Sequence, residues 1–285
     1  MTDLNRSDWT KPALVADSCA DLNEDLEARI DVAKAPFPIS LNDVNYQDDG
    51  TMDIQHFIAE IAKSPEIPKT AGPAPSLFIE GIGDAVDSFI VTISGKLSGT
   101  YSNAKLAAEE IMQEAGRRVH VFDSRSASGG ETAVLMKLKE WIDEKIDFDE
   151  IIRKGEEFIN EMRTYFVLED LGTLIKSGRI PKLAGGLASR LSIVPICSSD
   201  EGNIKVNEVR RGIDKALKRL SDIVVQDEVE FADRILYITH VNNEPRAEKL
   251  KKMIADRVNF KEIQILSSGG LSATYANDGG IIIAY

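Results

Sequence analysis

The sequence predicts an α/β protein of two α/β domains. The N-terminal one is a largely parallel sheet with flanking helices, and the C-terminal one is a mixed-sheet α/β domain. Three observations carry this. Strand-length apolar runs alternate with amphipathic helical stretches through the first half, hydroxyl-rich loops follow the strand ends, and a hairpin pattern appears in the second half. Strand, polar loop and helix in repetition are the mark of βαβ units, which require parallel strands. A length of 285 residues allows one large domain or two modest ones. The boundary is placed after a helix at about 149–163, giving domains 1–163 and 164–285, with a return of the terminal strand to the N-terminal domain left open.

In order along the chain, residues 13–16 form a short apolar run ending at Asp17-Ser18, before a polar helical stretch at about 23–29. Residues 35–41 read as one extended segment punctuated by Pro36 and Pro38. Ile54, Phe57, Ile58 and Ile61 fall on one face of a helix that Pro65 terminates. Residues 68–75 are too rich in proline for helix or central strand and read as a loop, with Ser76 capping the helix after it. The strand at 89–93 runs into residues 94–100 and a helix with Ala104, Ala107, Ala108, Ile111, Met112 and Ala115 on one face. The strand at 119–122 ends in residues 123–130, and Val134, Leu138, Trp141 and Ile142 mark the next helix.

The second half begins with a strand at 165–168 and a short helix closed by Gly178. Residues 193–197 and 204–209 flank a polar turn and predict an antiparallel hairpin. Helices near 213–224 and 246–257 and strands near 235–239 and 263–266 complete the layer. Residues 267–280 read as a glycine- and hydroxyl-rich loop before the last strand, 281–284.

Hydrophobic residues make up 43 % of the chain and charged residues 28 %, which is ordinary for a globular protein and excludes a disordered one. A net charge of −13 repels phosphate backbones and anionic headgroups, so no nucleic-acid partner is expected. Cys19 and Cys197 form neither a metal motif nor a disulfide framework, and His56, His120 and His240 lack ligand spacing, so no metal is expected. The N-terminal stretch lacks a signal-peptide core and no apolar run reaches membrane-span length. The expectation is a cytoplasmic protein without integral membrane association.

In parallel sheets ligands gather beyond the C-terminal strand ends. Here those ends carry Asp17-Ser18, residues 94–100 and residues 123–128. In the middle loop, Gly95 and Gly99 free backbone N–H groups, Ser94, Ser98 and Thr100 add hydroxyls, and the following helix adds its positive end. This suits a carboxylate or phosphate, whereas Ser98 or Thr100 alone would more plainly cap the helix. The loop is no P-loop, because Ile occupies position 90 and Leu97 follows Lys96, and no G-x-G-x-x-G follows an early strand. No nucleotide cofactor is therefore expected.

A serine hydrolase would need a base beside Ser94, Ser98 or Ser124, and the G-x-S-x-G elbow is absent. Of the histidines, only His240 lies at a strand end suited to chemistry. Asp17 and Asp123 suit acid–base work or the organisation of their own loops, and the second is preferred. Cys19 has no basic neighbour in sequence and reads as packing. Arg179, Arg210 and Arg211 stand out in an acidic chain, as solvated residues or as partner-docking ones.

Several segments, taken in order, resemble the DegV family of bacterial fatty-acid-binding proteins over nearly the whole chain. They are Ala16-Asp17-Ser18, Pro68-Lys69-Thr70, Ile93-Ser94 with Leu97-Ser98-Gly99-Thr100-Tyr101, Asp123-Ser124, Ser177-Gly178-Arg179-Ile180 and Val209-Arg210. The resemblance implies a protein that buries one long-chain fatty acid as its ligand, with the carboxylate near the domain interface and no cofactor. It implies that Thr70, Ser94 and the Gly95 amide hold that carboxylate. Tyr275 stands where many members carry a histidine joined to the headgroup network. Asp17, Ser18, Ser98 and Ser124 belong to the surrounding headgroup loops.

The resemblance further implies a protein without catalysis of its own, the acyl-carrying subunit of a fatty acid kinase. The partner kinase would phosphorylate the bound carboxylate, with Arg179 and Arg210 facing it. Tyr275, Gly95 in place of a second serine and Ser177 in place of a glycine mark a divergent member. The donors expected are neutral hydroxyls and amides, with strong positive charge kept away. Two other classes stay open: a small-molecule enzyme on a related fold using Ser94 or Tyr275, and an adaptor that binds only protein.

Overall fold

The computed structural model describes residues 10–180 and 193–285. Of the N-terminal stretch read for a leader, residues 1–9 lie outside them. The first half runs β1 (Ala13–Asp17), α1 (Glu24–Arg29), β2 (Ala33–Ala35), β3 (Pro38–Leu41), β4 (Val44–Gln47), α2 (Ile54–Lys63) and β5 (Lys69–Thr70). It continues with α3 (Pro75–Ile82), β6 (Asp87–Thr92), α4 (Thr100–Ile111), β7 (Arg118–Asp123), α5 (Gly129–Asp143) and α6 (Phe148–Glu161). Helix α4 stops at Ile111 and leaves Met112 exposed.

Strands β2-β1-β6-β7 form an all-parallel sheet in that order. Helices cover both faces of such a sheet, so β6 is apolar at its centre, Phe89, Ile90 and Val91, and buried from Ser88 to Thr92. The extended segment at 35–41 divides at Pro36. β2 stays with the parallel sheet, while β3 turns away to join β4 and β5 in a small antiparallel sheet. The proline-rich stretch is thus not wholly a loop. Between Pro68 and Gly72, Lys69 and Thr70 keep their N–H groups and pair with Ser40 and Ile39. Ser76 does not cap α3, which starts at Pro75 with Ala74 before it and no side-chain cap; proline at the first position has no N–H to satisfy.

The second half contains β8 (Thr164–Val167), α7 (Gly172–Lys176), β9 (Ile193–Asp200), β10 (Asn203–Arg211), α8 (Ile213–Gln226) and β11 (Ile235–His240). It ends with α9 (Glu244–Ala255), β12 (Glu262–Ser267), α10 (Gly270–Ala276) and β13 (Ile281–Ala284). The six strands lie in the order β10-β9-β8-β13-β11-β12 and form a mixed sheet in which β11 and β12 run parallel. Strand β13 pairs with β8 at Ile281↔Val167 and with β11 at Ile281↔His240. The terminal strand therefore stays in the mixed sheet and does not return to the N-terminal one. The run 267–280 is not all loop either, for it contains α10.

Helix α5 lies between the two sheets. Its buried face joins Phe89 and Phe122 of the parallel sheet to Tyr237 and Leu266 of the mixed sheet in one apolar cluster. The approach is close at its first turn. A Cβ on Gly129 would sit 3.0 Å from Tyr237 Cβ and 3.1 Å from Thr239 Oγ1. Gly129→Val is therefore expected to lower stability by about 1–3 kcal/mol, the usual effect of overpacking, read as a fall in the urea midpoint with an unchanged slope.

Candidate functional site

Where the two sheets and the small sheet meet, a cavity of about 100 Å³ remains, walled by Phe37, Ile93, Leu97, Phe166, Leu174 and Ile282 among others. Interiors normally close such space, and a void many times the minimum for one water, lined chiefly by carbon, suits an apolar occupant. Little of its exposed surface is polar, although several polar side chains line it. Thr70 and Tyr275 are two of them, and their hydroxyls share a hydrogen bond of 2.7 Å across 205 residues of sequence. Thr70 is placed by the β3–β5 pairing and Tyr275 by α10.

Helix α10 is itself held from the N-terminal half. The Asp48 carboxylate accepts hydrogen bonds from Gly270 N at 2.6 Å and Leu271 N at 3.0 Å. That of Asp21 accepts from Gly269 N at 2.6 Å and from the Ser128 and Ser272 hydroxyls at 2.6 and 2.8 Å. The three amides, of Gly269, Gly270 and Leu271, open the helix and have no partner within it. Burial pushes Asp21 up to about 6 and raises Asp48 from its ordinary value, against the pull of these donors. Sequence reasoning missed both aspartates, since their partners lie 222 and 248 residues away and no local pattern points to them.

Among the expected headgroup residues, the structure brings Thr70, Tyr275 and Ser98 to the cavity. Ser98 also binds its own turn, at 2.8 Å to Thr100 Oγ1 and 3.3 Å from Thr100 N. Ser94 is turned away: its hydroxyl donates to the Gly202 carbonyl at 2.8 Å and accepts from Lys96 N at 3.2 Å. The β9–β10 turn reaches it because Gly202 adopts φ +85°, and a Cβ there would lie 2.5 Å from Ser94 Oγ. The Gly95 amide is not a free donor, since it donates to Asp123 Oδ1 at 3.1 Å. At both positions turn and loop groups already engage the donor.

Asp17, Ser18 and Ser124 organise backbone. Asp17 accepts from Cys19 N at 2.9 Å and Ile93 N at 2.8 Å, the loop-holding role preferred above. Ser18 donates to Asp48 at 3.0 Å and accepts from Phe37 N at 3.1 Å. Ser124 closes a turn on Ser126, at 3.2 Å to its carbonyl. Arg210 donates to the Val209 carbonyl at 2.8 Å, pairs with Glu208 and does not line the cavity.

Arg179 does line it. Its guanidinium sits 5.3 Å from the centre of the Tyr275 ring and donates to the Leu97 carbonyl at 3.2 Å. Arg125 also reaches the wall. Positive charge is therefore present at the cavity, contrary to the expectation of neutral donors only. The hydroxyls of Ser94 and Tyr275 meet no base: their hydrogen-bond partners among the described residues are a carbonyl, an amide and the Thr70 hydroxyl. His240, the histidine placed for chemistry, instead accepts from Asn243 N through Nδ1 at 3.2 Å.

The family described as uncharacterised protein, DegV family, matches residues 11–285. The crystal structure of a DegV family protein from Ruminococcus gnavus with vaccenic acid is 35 % identical and covers 96 % of this chain and 99 % of its own, with a TM-score of 0.90. A DegV family protein from Eubacterium eligens loaded with heptadecanoic acid is 30 % identical, with coverage of 95 % and 98 % and a TM-score of 0.89. The Streptococcus pneumoniae fatty acid kinase (Fak) B3 protein loaded with linoleic acid is 26 % identical, with coverage of 97 % and 99 % and a TM-score of 0.89. Among the described residues no helix is long and apolar enough to cross a membrane.

The Thr70–Tyr275 bond ties the small sheet to α10. A double-mutant cycle of Tyr275→Phe and Thr70→Val is expected to show a coupling of about 0.5–1.5 kcal/mol in chemical denaturation. Additive effects would mean that the two hydroxyls do not meet.

Proposed function

Because this chain belongs to the DegV family, we propose that it binds one long-chain fatty acid, with the acyl chain in the cavity between the sheets and the carboxylate at the Thr70–Tyr275 pair. The observation that carries this reading is a chiefly apolar cavity whose wall brings two hydroxyls and the Arg179 guanidinium together. Burying hydrocarbon gains about 0.8 kcal/mol per methylene, so a long chain supplies a large gross driving force. A carboxylate taken out of water needs donors. Thr70 and Tyr275 supply hydroxyls, and the nearby Arg179 charge favours the ionised form. Ser94 and the Gly95 amide join the headgroup only if the ligand displaces the Gly202 carbonyl and the Asp123 carboxylate.

The fatty acids in the R. gnavus, E. eligens and S. pneumoniae structures support the ligand class. The name of the last supports a further step, in which this protein performs no catalysis but presents the carboxylate to a partner kinase. Arg179 would then act from the cavity side and Arg210 from the surface. The absence of a P-loop or G-x-G-x-x-G sequence agrees with nucleotide being held elsewhere. A cytoplasmic location follows from such a role.

Organic extraction of the purified protein followed by mass spectrometry is expected to release about one long-chain fatty acid per chain. The combined Thr70→Val and Tyr275→Phe variant is expected to retain less and to bind added oleate at least tenfold more weakly. A lipid-free protein whose melting temperature oleate does not move would refute the proposal.

A further inference from the structure

Behind the cavity wall lies a carboxyl group that ligand binding does not use. Glu131, in the first turn of α5, is fully buried, and among the described residues no N–H or O–H group reaches either of its oxygens. Its carboxyl lies against that of Asp17, and one oxygen from each, together with Cys19 Sγ, fall within 4.8 Å of one another. The charged and titratable groups that face this pair are Cys19 and Asp21 from the loop after β1, Asp48 from beyond β4, and Lys34 from β2. Lys34 is the one cation in this set, and it is exposed and spent on Glu27 at 3.4 Å. Burial pushes the Cys19 thiol well above its usual range, so it stays neutral.

Two ionised carboxylates in contact, away from water and without a cation between them, repel strongly. A proton resolves both that repulsion and the missing donors. We propose that Glu131 is held as a neutral carboxylic acid that donates a hydrogen bond to the Asp17 carboxylate and so positions the loop forming the cavity wall. Asp17 already accepts from Cys19 N and Ile93 N, and both residues line the cavity. Glu131 is thus a positioning residue, acting through Asp17. Burial raises Glu131 well above the carboxylate range and Asp17 to about 7, so the two titrate as a unit that keeps one proton through neutral pH. The assignment stands whichever ligand the cavity takes.

The test compares the full-length parent with Glu131→Gln, which keeps a donor toward Asp17, and Glu131→Leu, which keeps only bulk. In the parent, the folded pair holds a proton that the unfolded chain releases. The stabilisation is complete below the unfolded pKa values near 4 and is lost as pH rises through the folded values. One such proton changes the unfolding constant about tenfold per pH unit between roughly pH 5 and 7. Glu131→Gln is expected to remove that tenfold per unit relative to the parent, and to lie closer to the parent at neutral pH than Glu131→Leu does. The parent's infrared spectrum at neutral pH should show a protonated carboxylic acid band, shifted in D₂O and lost in Glu131→Gln; on the parent this reading needs no variant to fold. Equal pH slopes in parent and Glu131→Gln, without such a band, would overturn the assignment. So would a melting temperature raised by Mg²⁺ or Ca²⁺ in the parent alone, since a cation would then fill the place of the proton.

Discussion

Two carboxylates from the N-terminal half hold the first turn of a helix from the C-terminal half, and the geometry of the cavity depends on that contact. Asp48 and Asp21 receive the amides of Gly270, Leu271 and Gly269. Hydrogen bonds to charged acceptors contribute about 1.5–3 kcal/mol each, more than neutral ones. They also place negative charge at the positive end of the helix. Opposing this is desolvation, visible in the upward pull on both aspartates. The approach is so close that a Cβ on Gly270 would fall 3.0 Å from Asp48 Oδ1 and 2.9 Å from the Met52 side chain. Tyr275 rides on this helix, so the meeting of its hydroxyl with Thr70 reports how the two halves are docked.

The cavity is polarised by few groups. Its exposed surface is chiefly apolar, and the partly exposed Arg179 guanidinium lies 5.3 Å from the centre of the Tyr275 ring. A guanidinium over a ring keeps its charge and is more weakly hydrated than a lysine ammonium, so it tolerates a place at an apolar wall. The β9–β10 turn contributes in another way, by presenting a backbone carbonyl to Ser94. The loop after β6 is thereby fastened to the second sheet by its hydroxyl and to β7 by the Gly95 amide.

Much of this was legible in the residues. The alternation of apolar runs and amphipathic helices predicts the parallel sheet, and the hairpin at 193–211 is marked by its polar turn. The resemblance to the DegV family brought Thr70 and Tyr275 forward, and the structure joins them. What was not legible depended on distant partners. Ser94 looks available because nothing near it in sequence reveals that the Gly202 carbonyl will accept its hydrogen bond. Asp48 looks like part of a surface turn, although its partners are a helix start far along the chain. The run 267–280, rich in glycine and hydroxyls, hides α10 because the helix is stabilised by those external carboxylates rather than by its own propensity.

The placement of α5 has a bearing on how such a protein can have been assembled. The helix is encoded in the first half, yet it supplies cover for Tyr237 and Leu266 in the second. Cutting the chain after α6 would uncover the shared apolar face on each piece. Recombination that exchanged one half alone would have to preserve the glycine contact with β11 as well as the aspartate clamp. Inheritance as a single unit is what such shared cover favours.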